Sequence, residues 1–210
     1  MTIDNLLKVI PPPAEPFEAF LGTWELIEAD LGTALPQDYK DYVRIYGNGA
    51  VLQYIGIYIP GARDPRVRLE ANIPLVCNGF RGLDHVPYPW WPAAGGLIPF
   101  GLTGAGDYLF WLSRGDPDDW PVVVWGHGYG DFELIERDFT DFLAGLATGE
   151  VAPKSFPIDF LPCETPFEPN WARPIEDSET IWTIFTPEHA RPRKFGPLRT
   201  RLTFPIRPPV

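Results

Sequence analysis

Proline recurs along the entire sequence, which contains 26 prolines together with 20 glycines. Because a proline inside a helix removes a hydrogen bond and clashes with the preceding turn, long uninterrupted helices are excluded. Four prolines lie in the first 17 residues, ten in 18–149 and twelve in the rest of the chain. This distribution predicts a folded domain over 17–150, preceded by a Pro-rich lead over 1–16 and followed by a Pro-rich extension over 151–210.

Charge is divided along the chain in a similar way. The formal net charge is −11, and the first 149 residues hold 20 of the 28 acidic but only 9 of the 17 basic side chains. Residues 189–210 hold six basic side chains and no acidic one. A body this acidic repels phosphate at long range, which excludes nucleic-acid binding through a basic surface.

Three segments carry helical periodicity. Apolar residues at three- and four-residue steps predict a helix over 16–31. A second helix is predicted to begin at Pro36 and to end at Gly47. A third, over 138–149, closes the domain with Asp138 as its N-cap.

Between the second and third helices the pattern changes to short segments rich in β-branched and aromatic residues. Glycine, proline and aspartate separate these segments, which is typical of hairpins in an antiparallel sheet. The predicted strands are 51–61, 96–101, 107–113, 121–126 and 131–136. The fold class is therefore α+β, with two N-terminal helices, a central mainly antiparallel sheet and a closing helix.

Two regions are less regular. Residues 62–95 predict a short helical turn followed by a loop in which Trp90 and Trp91 cover the edge of a core. In the extension, alternation predicts one or two added strands at 180–186 and 198–206. We expect the basic end of the extension to pack on the acidic body or on a second copy, so a monomer and a homodimer both stay open.

Reactive side chains do not converge in the sequence. His85, His127 and His189 lie in unrelated contexts, and Cys77 and Cys163 match neither a zinc site nor a disulfide framework. The glycine-rich segment 101–107 joins two predicted strands, so we interpret it as a hairpin turn and not as a phosphate-binding loop. We therefore predict no catalytic residue, no metal, no cofactor and no enzymatic activity.

The segment 116–120 concentrates acidic side chains beside a tryptophan. Asp116, Asp118 and Asp119 lack the ligand spacing of a calcium loop, and an exposed acidic hairpin loop is the favoured interpretation. A further possibility is contact with a basic protein, in which Trp120 acts as the anchor and the carboxylates accelerate encounter.

One stretch, LGTALPQDYKDYVRIYGNGAVL over 31–52, resembles the hallmark motif of the SUKH superfamily. This group includes the yeast cell-wall assembly regulator and many bacterial immunity proteins. The segments 98–115 and 138–150 resemble the hairpin and the closing helix of the same group. The matching motif residues are Leu31, Gly32, Leu35, Pro36, Asp38, Tyr39, Lys40, Tyr46, Asn48 and Gly49, and we expect structural roles for them.

The resemblance implies a non-enzymatic protein that binds and neutralises a cognate toxin, often a nuclease. An acidic surface fits this role, because a nuclease presents a basic cleft. We predict a binding face that contains Asp116, Asp118, Asp119 and Trp120, with Asp107, Asp131 and Glu133 beside it. A scaffold or regulator of the cell-wall assembly regulator type is the alternative, and an enzyme with an unfamiliar site is a distant third.

The first residues lack the basic and apolar regions of a signal peptide. No stretch of the sequence reaches the apolar length of a membrane span. We therefore expect a cytoplasmic protein with no membrane partner.

Overall fold

A computed structural model of the chain describes residues 3–83, 85–157 and 163–170. Within these residues five α-helices and seven β-strands follow one another, and a 3-10 turn, Pro117–Asp119, lies between the fourth and fifth strands. The helices are α1 Asp4–Val9, α2 Trp24–Leu31, α3 Gln37–Tyr46, α4 Leu69–Phe80 and α5 Phe139–Thr148. The strands are β1 Gly49–Val51, β2 Ile55–Ile57, β3 Leu97–Thr103, β4 Tyr108–Leu112, β5 Val122–Gly126, β6 Asp131–Ile135 and β7 Phe167–Pro169.

The strands form one antiparallel sheet in the order β6-β5-β4-β3-β2-β1-β7. Alternation along β4 divides the core into two clusters. Leu109 and Trp111 join a large cluster with residues of α1, α3 and α5, whereas Phe110 joins a second cluster with Phe80 of α4. Helices therefore cover both faces of the sheet, and the predicted α+β class is confirmed.

Helix α3 has the bounds that the sequence predicts. Tyr39, Tyr42, Val43 and Tyr46 recur at helical spacing and are fully buried. The helix ends at Gly47, which has a φ of 66°, and a Cβ at this position would collide with the carbonyl oxygen of Phe17. Only glycine fits both the left-handed φ and this close approach of the backbone.

Helix α2 begins later than predicted. Instead of starting a helix, Phe17 forms a parallel bridge to Gly47, and its carbonyl oxygen accepts a hydrogen bond from the Asn48 amide. Because this pairing extends the backbone, the helical turn starts only at Trp24. Leu21, which the periodicity placed on the buried stripe, is 84% exposed.

Two further predictions need correction. The single strand predicted over 51–61 is divided into β1 and β2, because Leu52 and Gln53 adopt positive φ values and reverse the chain. The short helical turn predicted within 62–95 is the three-turn helix α4. Pro74 removes one of its hydrogen bonds, and the buried apolar side chains of the helix offset that loss.

The segments on either side of the predicted domain contribute to it. Helix α1 lies within the predicted Pro-rich lead, and its Leu6 is fully buried where α1 packs on α5. Strand β7, from the extension, pairs with β1 so that Phe167 lies opposite Val51. The strands predicted at 180–186 and 198–206 lie outside the described residues.

A candidate protein-binding surface

The loop between β4 and β5 presents the three aspartates that the sequence singles out. Asp116 caps the 3-10 turn, because its Oδ1 accepts a hydrogen bond from the Asp118 amide at 3.1 Å. Asp116, Asp118 and Asp119 are all exposed. Their geometry is that of an exposed acidic loop.

Asp118 also supports a helix that lies far away in the sequence. Its Oδ1 accepts a hydrogen bond at 2.6 Å from the Gln37 amide, the first N–H of α3. The preceding Pro36 offers no side-chain oxygen for capping, so Asp118 replaces the usual cap. A carboxylate at this position is further stabilised by the positive end of the helix dipole.

Trp120 is buried, with only 3% of its surface exposed. Its ring packs near that of Trp111, with the ring centroids 6.4 Å apart. The prediction that Trp120 anchors an external partner is therefore wrong for this conformation. Its apolar bulk lies in the core, while the preceding aspartates stay in solvent.

The other predicted acidic residues do not lie beside this loop. Register places Gly126 opposite Asp131 and Tyr108 opposite Trp125, at one end of the sheet. The loop leaves the opposite end of β4, about 13 Å away along the strand. The residues of the predicted binding face are therefore divided between two ends of the sheet.

Two of these residues have internal partners. Asp107 is 1% exposed, and its carboxylate accepts hydrogen bonds from the Thr103 hydroxyl at 2.8 Å and from the His127 amide at 2.9 Å. These bonds close a hairpin turn, which is the structure that the sequence predicts for the glycine-rich segment 101–107. Glu133 accepts a hydrogen bond from the Lys154 amide at 2.8 Å and holds the chain that follows α5.

Two further carboxyl groups are buried where α3 meets the start of α5, those of Asp38 in α3 and Asp138 at the start of α5. Asp38 Oδ2 accepts hydrogen bonds from the Thr140 amide at 2.8 Å and from its hydroxyl at 3.1 Å, so it joins α3 to α5. Asp138 caps α5 as predicted, because it accepts a hydrogen bond from the Asp141 amide at 2.8 Å. Burial raises the pKa of both groups, that of Asp38 to about 6.

These contacts place several acidic side chains at one end of the sheet, which we call the acidic end. The bond from Gln37 to Asp118 and the bond from Thr140 to Asp38 bring the starts of α3 and α5 to the same end as the β4–β5 loop. Three arginines on the same elements, Arg44, Arg114 and Arg137, reduce the negative charge only in part. The acidic end comprises Asp41, Asp116, Asp118, Asp119, Glu136 and Asp141.

A second acidic surface, which the sequence did not indicate, runs over 15–31. We call it the α2 face. It contains five acidic side chains and no basic one. Leu21 and Leu26 are also exposed on it, Leu26 to 68%. The sequence signal was misleading for Leu21, because its spacing of four residues from Phe17 and three from Trp24 is typical of a buried helical face.

Among the described residues no group of three or more histidine, cysteine, aspartate or glutamate side chains is arranged to hold a metal ion. Cys77 and Cys163 are both free thiols, and burial raises the pKa of Cys77 to about 11. No described helix combines the length and the apolar character needed to cross a bilayer.

Comparison with protein families gives one finding. Residues 22–143 match the family model SUKH_6, described as SMI1-KNR4 cell-wall. Neither the curated proteins nor the solved structures provide a match. The matched range begins just before α2 and ends within α5, so it contains the acidic end and most of the sheet but neither α1 nor β7.

Proposed function

The chain belongs to the SUKH_6 family, described as SMI1-KNR4 cell-wall, and from this premise we propose that it is a cytoplasmic immunity protein. It binds a basic, nuclease-type bacterial toxin and covers the toxin's cleft with the acidic end. The protein performs no chemistry on its partner, since occlusion alone prevents a nuclease from reaching its substrate.

Exposed carboxylates at the acidic end carry this proposal. Asp119 and Glu136 are exposed, and neither takes part in an ion pair within the described chain. Their charge is therefore available to a basic partner. A cluster of such charges attracts a cationic surface over the Debye length, raises the association rate and selects against acidic partners.

The experiment compares two double variants with the same change in charge. Asp119→Lys with Glu136→Lys alters the acidic end, whereas Asp131→Lys with Glu150→Lys alters exposed positions away from it. The probe is a basic, nuclease-type toxin domain, and binding is measured at low and at physiological salt. The first variant is expected to lose about tenfold in association rate at low salt.

The control variant is expected to keep an association rate close to that of the native protein. Equal losses in both variants would show that net charge matters and that the acidic end is not the binding face. An unchanged rate in the first variant would contradict the assignment of this surface directly.

A regulator that binds several endogenous proteins is the second candidate, and the cell-wall description of the family favours it. Co-expression distinguishes the two. An immunity protein restores growth of cells that produce the neighbouring toxin, whereas a regulator leaves toxicity unchanged and recovers several endogenous proteins in a pull-down.

A further inference from the structure

Helix α2 is the least covered helix among the described residues. None of its side chains is buried, whereas each of the other four helices buries at least one. Trp24, Ile27 and Leu31 contact the core, but Leu21 and Leu26 point into solvent with 84% and 68% of their surfaces exposed. Both side chains therefore leave most of their apolar surface in contact with water.

The same surface is negatively charged. Glu18 forms an ion pair with Arg63 at 3.2 Å, and Glu28 forms one with Lys40. The three remaining carboxylates of the α2 face have no such partner within the described chain: Glu15, Glu25 and Asp30. The α2 face therefore suits a partner that is both basic and apolar.

The chain beyond the described residues starts beside this face. The Asn170 amide donates a hydrogen bond to the Asn48 carbonyl oxygen at 2.8 Å. Asn48 in turn donates from its backbone amide to Phe17 at 2.6 Å and from its side chain to Glu18 at 3.3 Å. Asn170, the last described residue, is thus connected through Asn48 to Phe17 and Glu18, which belong to the α2 face.

Residues 189–210 have the chemistry that the α2 face requires. They carry six basic side chains and no acidic one, together with the apolar residues Leu198, Leu202, Phe204 and Ile206. The intervening 171–188 segment spans up to about 60 Å when extended, whereas α2 is about 12 Å long. Tethering also gives the segment an effective concentration near the millimolar range.

We propose that residues 189–210 dock on the α2 face of the same chain. Arginines of the segment pair with Glu25 and Asp30, and its apolar side chains cover Leu21 and Leu26. Docking removes the exposed leucines from water and neutralises a negative surface that lies outside the acidic end. This inference does not depend on the identity of any toxin.

Disulfide trapping in the full chain tests the proposal. Leu26→Cys and Leu202→Cys are combined with Cys163→Ser, which removes the partly exposed native thiol. The matched control replaces Leu26→Cys with Leu75→Cys, on the exposed side of α4, where 53% of the side chain is accessible. Both sites are exposed, so neither cysteine is expected to disturb folding.

Under mild oxidation the Leu26→Cys chain is expected to form an intramolecular bridge about tenfold faster than the Leu75→Cys control, because docking concentrates the two thiols. In 1 M salt, where the Debye length is about 3 Å, this difference should shrink several-fold. Adding Arg199→Glu and Arg201→Glu should also reduce the difference in rate between the two chains.

Equal rates for the two chains would overturn the proposal, as would a rate that neither salt nor the charge reversals change. A bridge that joins two chains, and whose yield rises with protein concentration, would show that the segment docks on a second copy. That result would overturn the single-chain arrangement.

Discussion

At the scale of single residues, Asp38 has the least ordinary environment. Burial is the largest influence on its carboxyl group and raises the pKa, and the nearby charge of Asp138 raises it further. Hydrogen bonds from Thr140 and Tyr39 act in the opposite direction. The net result is a pKa of about 6 in the folded protein against 3.8 for an unperturbed aspartate. The sequence motif marks this position as structural but contains no sign of the shift, which arises from packing against α5.

Asp38 should make stability depend on pH. Since the folded state holds this proton more tightly than the unfolded state, the contribution of Asp38 to stability is greatest below about pH 4 and is lost as pH rises through about 6. The loss attributable to Asp38 is about 3 kcal/mol. Asp38→Asn should reduce the change in the free energy of unfolding between pH 4 and pH 7, measured by urea denaturation. Part of this pH dependence should remain, because the pKa of Asp138 is also raised. An unchanged pH dependence in Asp38→Asn would contradict this interpretation.

At the scale of elements, local chemistry predicts α3, β4 and α5 well. Pro36 and Gly47 delimit α3, and Asp138 caps α5, so the signals lie within the elements themselves. Elements that depend on distant contacts are predicted poorly. The bridge from Phe17 to Gly47 shortens α2, and packing against the core stabilises α4 despite Pro74. The apolar periodicity of the sequence indicates neither of these contacts.

The candidate site shows the same limit. Exposure of Asp119 follows from its position in a Pro- and Asp-rich turn. Burial of the adjacent Trp120 depends on Trp111, which lies on β4. Likewise, the separation of Asp131 from the β4–β5 loop follows from strand register, which the sequence does not state.

The link between the β4–β5 loop and α3 is open to a direct test. Asp118→Ala removes the oxygen that accepts from the Gln37 amide and should lower the free energy of unfolding by about 1 kcal/mol. Asp118→Asn keeps an acceptor oxygen and should lose less. Asp119→Ala, at the next position, should change stability little, as judged by chemical denaturation. Equal losses at the two alanine variants would show that Asp118 does not act as the cap of α3.

At the scale of the whole molecule, the domain extends beyond the range that sequence composition suggests. Leu6 of α1 is fully buried, and the Tyr46 hydroxyl of α3 donates a hydrogen bond to the Ile10 carbonyl oxygen. The Pro-rich character of the first residues conceals this contribution, because prolines follow the helix without interrupting it. Ile3, Leu6 and Ile10 of the lead are thus part of the core, and β7 extends the sheet beside β1.

Removing the buried side chain of α1 should therefore destabilise the entire domain. Leu6→Ala is expected to lower the free energy of unfolding by about 3 kcal/mol, since it leaves a cavity beneath α5. Leu75→Ala, the same substitution at an exposed position of α4, should stay within about 0.5 kcal/mol of the native value. Thermal unfolding followed by circular dichroism measures both. A small loss at Leu6 would mean that α1 is only loosely attached.

The contact between α1 and α5 also has a consequence for synthesis on the ribosome. Helix α1 leaves the exit tunnel first, yet the helix against which it packs is the last of the five to be made. Throughout translation of the sheet, the apolar face of α1 has no native surface to bury. The apolar face of α1 therefore stays open to chaperones that bind short apolar segments until α5 has been made.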